Sequence, residues 1–165
     1  MDNRISSAPV MLIRLLVGWV FLVEGILKFS LPDELGAGRF ASIGIPAPGV
    51  MAPFVGGVEI ICGLLVLAGL FTCFAAIPLL IDITVAILST KIPIWLGQPY
   101  WRFALPKLKH YGFLSMLHEA RTDISMLLGL IFLLIVGGGT WSLDARRNRP
   151  EKQAPRTSAV QRPSP

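Results

Sequence analysis

The stretch FVGGVEIICGLLVLAGLFTCFAAIPLLIDITVAIL, residues 54–88, holds two apolar runs that meet at Leu70-Phe71-Thr72-Cys73. A bilayer core of roughly 30 Å takes about 20 helical residues to cross. Each run approaches that length, and four residues between them leave no room for a domain, so the stretch reads as an antiparallel hairpin of two spans. Strands are excluded because neither run alternates apolar with polar residues. Outward from this hairpin, Val10 to Leu27 and Ile124 to Val136 are two further apolar runs. Only 15% of the 165 residues are charged and 53% are hydrophobic, where a soluble domain carries about 25% charged residues. A soluble core of this size has no place to hide four such runs.

The fold class expected is therefore all-α: an integral membrane four-helix bundle, antiparallel, with a disordered basic C-terminal tail. The domain would occupy residues 1–145, with spans at about 10–29, 53–71, 73–90 and 120–139, and the tail residues 146–165. Arg146, Arg147, Arg149, Lys152, Arg156 and Arg162 against Glu151 place that tail in the cytoplasm. An even number of spans puts the N-terminus with Arg4 on the same side, giving a multi-pass N-in, C-in protein of the bacterial inner membrane. Residues 1–30 do not read as a cleaved signal: the run is long for one, contains Glu24 and Lys28, and lacks a small-x-small site. The net charge of +5 then suggests topology and anionic lipid, with no nucleic-acid motif beside it. Trp95, Tyr100, Trp101 and Tyr111 in the long loop, and Trp141 at the opposite face, read as an interfacial belt.

Ionisable residues within spans cost roughly 2.5–3.5 kcal/mol each near the centre and call for a partner or a role. Glu24 falls about 21 Å along the first span and Asp82 about 14 Å above the hairpin turn. Glu59 lies in the outer half of the second span, and Asp123 opens the fourth below His118, Glu119 and Arg121. Together Glu24, Lys28, Glu59, Asp82, His118, Glu119, Arg121 and Asp123 form a candidate polar cluster in the outer leaflet, a site for a quinone or for protons. Within it Lys28 is expected to pair with Glu24 at i,i+4, and Arg121 with Glu59 or Asp123. Arg14, near the inner edge, is expected to snorkel to headgroups. Gly18 and Gly25 on the first helix, like Gly56 and Gly63 on the second, are seven apart and mark packing faces.

The residue inventory limits the chemistry. His110 and His118 share one outer segment and cannot supply two axial ligands from facing helices to a transmembrane haem. Cys62 and Cys73 fall short of the four ligands of an iron–sulfur cluster, and at about 16 Å apart along a helix they read as packing residues. Glu59, His118, Glu119 and Asp123 are chemically suited to a metal, but such sets commonly form salt-bridge networks and no metal is assigned. Gly36-Ala37-Gly38-Arg39-Phe40-Ala41 follows Pro32-Asp33-Glu34 rather than a strand, and is not read as a dinucleotide site.

Arg14-Leu-Leu-Val-Gly18, Glu24-Gly25-Ile-Leu-Lys28, the run from Gly57 through Glu59 and Gly63 to Gly69, and Gly137-Gly-Gly-Thr-Trp-Ser142-Leu-Asp144 together resemble the DoxX family. His118-Glu-Ala-Arg-Thr-Asp123 looks like the start of the last helix in one subgroup. The resemblance implies a small four-helix prokaryotic membrane protein, with relatives associated with thiosulfate:quinone oxidoreductase, terminal quinol oxidases or membrane oxidoreductase complexes, and it carries Arg14, Lys28, Glu59 and Asp144 as motif positions without assigning them catalysis. The function expected is an accessory, quinone-facing subunit of an oxidoreductase, with no intrinsic cofactor, catalytic residues unknown, membrane lipids and a soluble or membrane redox subunit as partners, and scope for a homo-oligomer. The alternatives are a small-solute or proton pathway and a structural or assembly protein without catalysis.

Overall fold

The structure, a computed structural model, describes residues 7–147, and every regular element among them is helical. The long helices are α1 (Ser7–Ser30), α3 (Pro48–Ala68), α4 (Thr72–Ala86) and α6 (Phe113–Val136); the short ones are α2 (Ala37–Ile43), α5 (Ile92–Leu96) and α7 (Leu143–Arg147). Three stretches are long and apolar enough to cross a membrane: Ala8–Ser30, Pro48–Ala68 and Thr72–Leu96. The fourth long helix, α6, has 24 residues, and its first half carries His118, Glu119, Arg121 and Asp123. Arg4 and the tail beyond Arg147 lie outside the described residues; Arg146 and Arg147, assigned above to the tail, sit on α7.

Two boundaries differ from expectation. The long loop expected after residue 90 begins as helix: α4 runs through a π-helical turn, Ile87–Lys91, into α5. The physical reason is Pro93, whose missing N–H and bulky ring cannot continue a regular ladder. A widened turn before it absorbs the mismatch, and the hydroxyls of Ser89 and Thr90 donate to the Ala86 carbonyl at 3.2 and 2.6 Å. Residues 113–119, which precede the span expected at about 120–139, form one continuous helix with the rest of α6.

The most extensive contact is α1 on α3; α4 packs on α6 and α3, and α1 also meets α6. Glycines set the first of these. A Cβ added at Gly18 would lie 2.9 Å from the Gly63 carbonyl oxygen, and one at Gly25 would lie 2.7 Å from that of Gly56. Backbones approach this closely only without side chains between them. Gly25→Leu should therefore cost about 1–3 kcal/mol by overpacking, read as a lower melting midpoint in mild detergent, whereas Gly57→Ala, with nothing within 4 Å of its Cβ, should leave the midpoint unchanged or raised.

Val17, Phe21, Val66, Ala76, Leu79, Leu130 and Leu133 form the buried core. The outside is as apolar as the inside: Trp19 is 63% exposed, Phe74 76% and Ile135 79%. A continuous surface of this kind suits hydrocarbon, not water.

At the α3–α4 turn the structure overturns the snorkelling expectation for Arg14, which is 4% exposed. Its guanidinium donates from Nε to the Val66 carbonyl at 3.0 Å and from Nη2 to Leu67 at 2.6 Å. From Nη1 it donates to Gly138 at 3.1 Å and Trp141 at 3.3 Å. The last carbonyls of a helix lack intrahelical partners; the Gly69 N–H serves Val66 at 3.1 Å, and the buried fork adds a second bond there, serves Leu67 and holds the 137–142 segment. Gly69, in the left-handed conformation at φ 68°, leaves the room: a Cβ there would lie 2.5 Å from Arg14 Cζ. Asp144 does the reverse for α4, accepting the N–H of Phe71 at 2.9 Å and of Thr72 at 3.2 Å, while its own N–H donates to the Gly69 carbonyl at 3.0 Å.

Candidate functional site

At the other end of the long helices lies a cavity of about 370 Å³. α1 supplies Val20, Phe21, Glu24 and Lys28, and α3 supplies Met51, Val55 and Glu59. Asp82, Ile83 and Ala86 of α4 continue into Ser89 and Thr90 of the π turn, and Thr122, Asp123 and Met126 come from α6. Arg39, Phe40 and Ile43 of α2, with Ile45, Pro46 and Phe103, add to the lining. The glycines before α2 serve the packing of this short helix: the Gly36 and Gly38 N–H groups donate to Leu31 and Pro32 carbonyls at 3.2 and 2.9 Å, and a Cβ at Gly38 would collide with Asp33.

Glu59 is the most enclosed acid of the lining, 3% exposed. Lys28 Nζ donates to Oε1 at 2.8 Å and stands 2.6 Å from Oε2. Only the first contact has hydrogen-bond alignment, so Oε2 is buried without an aligned donor. The Asp82 carboxyl lines the same cavity, with Glu24 and Asp123. Thus Lys28 pairs across helices with Glu59, not along α1 with Glu24 as expected. The glycine contact is the reason: a Cβ on Gly56 would sit 3.3 Å from Lys28 Cβ, and one on Gly25 3.0 Å from Glu59 Cβ. The two helices are close enough there that the lysine head arrives directly over the carboxylate.

A second ion pair, Lys91 Nζ to Asp123 Oδ2 at 3.1 Å, joins the π turn to α6. Lys91 is 8% exposed and is absent from the sequence-based cluster because it stands in what reads as a basic loop. A lysine two residues before Pro93 is a weak signal until the helix is seen to continue. Arg121, expected to serve Glu59 or Asp123, instead turns outward: its Nη1 donates to a His118 ring nitrogen at 2.7 Å and to the His118 carbonyl at 3.0 Å. Arg121, His118 and Glu119 are all exposed and lie off the cavity lining, whereas Glu24, Lys28, Glu59, Asp82 and Asp123 are brought together there. Cys62 and Cys73 are free thiols. Lys91→Met should cost about 1–2 kcal/mol, between the values for exposed and closed ion pairs, since the Asp123 side chain keeps 23% exposure. Arg121→Met should shift stability by no more than about 0.5 kcal/mol; thermal melts of the two variants side by side check the contrast.

The family model described as DoxX matches residues 10–92. A membrane protein of Mycobacterium tuberculosis, described as uncharacterized, is 56% identical over 140 residues, which cover 85% of this chain and 82% of the relative. No solved structure matches the chain.

Proposed function

Because the chain belongs to the DoxX family of integral membrane proteins, we propose that it is an accessory, quinone-facing subunit of a membrane oxidoreductase complex. In this reading α1, α3, α4 with its extension through α5, and α6 are four antiparallel spans in a bacterial inner membrane, with both termini cytoplasmic. The observation that carries it is a mostly apolar cavity holding Lys28, Glu59 and Asp82 together on its wall. At about 370 Å³ it stands at the small end of ligand sites, which suits a ring better than a ring with its tail.

The chemistry follows from the groups present. Reduction of a quinone to a quinol takes up two electrons and two protons. The Lys28 ammonium can donate a hydrogen bond to a quinone carbonyl oxygen, and the neighbouring carboxyls of Glu59 and Asp82 can carry the protons to it. The electrons come from a partner redox subunit, soluble or membrane-bound. Purification in mild detergent with native lipids should recover quinone with the protein, and Glu59→Gln or Asp82→Asn, which cannot pass a proton, should slow quinone reduction by the assembled complex by about 100-fold. A wild-type preparation that neither retains quinone nor responds to its titration sinks the proposal.

A proton or small-solute pathway is the second reading, favoured by the acid excess: Glu24, Glu59, Asp82 and Asp123 line the cavity against Lys28 and Arg39, with Lys91 paired to Asp123. Proteoliposome uptake that fails in Asp82→Asn and ignores added quinone would favour it.

A further inference from the structure

Helices α1 and α6 are in contact, and the close approaches marked by glycines lie toward the Val10 end of α1. A Cβ on Gly139 would lie 3.0 Å from Val10 Cγ1, and one on Gly129 2.6 Å from Val17 Cγ2. As α1 is followed from 10 to 17, its neighbour on the other side therefore runs back from 139 to 129. Seven residues past Val17 stands Glu24; seven residues before Gly129 stands Thr122. Seven residues are nearly two turns, so both remain on the facing sides, each about 10 Å beyond the Val17–Gly129 contact. Had the helices stayed together, both would be buried as Val17 and Gly129 are. Instead both are exposed, and both line the cavity.

The other sides are closed. Gly25 seats on Gly56 between α1 and α3, α3 packs on α4, Lys91 of the π turn binds Asp123 of α6, and α2 covers the loop end with Phe40. The geometry points to a lateral portal between α1 and α6, flanked by Glu24 and Thr122, through which the head of a bilayer-dissolved amphiphile enters the cavity while its apolar tail stays in the lipid. This deepens the quinone reading and rests on its four-span arrangement. The portal lies about 21 Å from the Val10 end of α1, still within a hydrocarbon core of roughly 30 Å, so the solutes that reach it are those dissolved in lipid. A carboxylate facing hydrocarbon at this depth is costly, and Glu24 is accommodated where the gap receives polar heads rather than acyl chains.

The test uses full-length protein in lipid nanodiscs, with Cys62 and Cys73 replaced by alanine and single cysteines introduced as Thr122→Cys, Ser125→Cys and Ala120→Cys. Ser125 lies one turn from Thr122 and is exposed, whereas Ala120 is 1% exposed. A hydrophobic, lipid-partitioned maleimide should label the cysteines at 122 and 125 at least about tenfold faster than that at 120, because reaction follows access. Equal rates at all three positions overturn the portal. A naphthoquinone with an isoprenoid tail should then slow labelling at 125 by about fivefold or more, while its tail-less parent leaves it unchanged, since only an occupant of the groove can block access. Equal protection by both, or by neither when wild type binds quinone, overturns the placement of the tail. If wild type binds no quinone yet labels fast at 122 and 125, the portal stands and the quinone reading alone falls.

Discussion

Lys28→Met destabilises the detergent-solubilised protein by about 3–5 kcal/mol, the usual loss when one member of a buried ion pair is removed. The size follows from enclosure: the Lys28 and Glu59 side chains are 11% and 4% exposed, and no other hydrogen-bond donor to Glu59 is present among the described residues. With Lys28 gone, Glu59 keeps its burial but loses the one positive charge against it. The double variant Lys28→Met, Glu59→Leu removes both charges and should recover most of the lost stability, because apolar replacement of a whole buried pair is often neutral. Thermal melts of wild type, both single variants and the double variant form the cycle that checks this. A double variant no more stable than Lys28→Met would show that packing of the lysine stem, and not the pair, carries the effect.

Arg14→Leu has the second large effect, about 3–5 kcal/mol. The guanidinium makes four hydrogen bonds to main-chain carbonyls, each worth roughly 1.5–3 kcal/mol when a charged donor is involved and less than additive together. Leucine replaces the aliphatic stem but none of the donors: the Leu67 carbonyl loses its bond from Arg14, and Val66 keeps only the Gly69 N–H at 3.1 Å. Arg14→Lys recovers only a minor part, since an ammonium has no planar fork with which to reach α3 and the 137–142 segment at once. The readout that separates this from general destabilisation is limited proteolysis: cleavage within residues 137–142 should accelerate in Arg14→Leu well below the temperature at which the variant melts. Uniform cleavage along the chain would count against a local tether.

Membrane helices are legible in sequence because length and apolarity are one-dimensional properties, and the DoxX resemblance holds for the same reason: its motif pieces are local strings. The roles of those pieces are not local. Arg14 and Asp144 are 130 residues apart in the chain and meet around one turn; Lys28 and Glu59 meet across a glycine contact. An i,i+4 rule sees only its own helix, so it offers Glu24 to Lys28. The partner on α3 becomes visible only when Gly25 and Gly56 are known to touch. Lys91 was hidden by a different cause, since Pro93 resembles a stop signal and the π turn that carries the helix past it has no sequence pattern of its own.

The knot at the α3–α4 turn bears on how the protein is made. Synthesis proceeds from the N-terminus, so α1 with Arg14, then α3 and α4, leave the ribosome before the segment that contains Gly138, Trp141 and Asp144. Until that segment emerges, the first amides of α4 lack their carboxylate and Arg14 holds only its two carbonyls on α3. The last translated stretch of the described chain is therefore the one that fastens the earliest helix to the hairpin, and a nascent chain halted before residue 144 presents the membrane quality-control machinery with an unlatched intermediate.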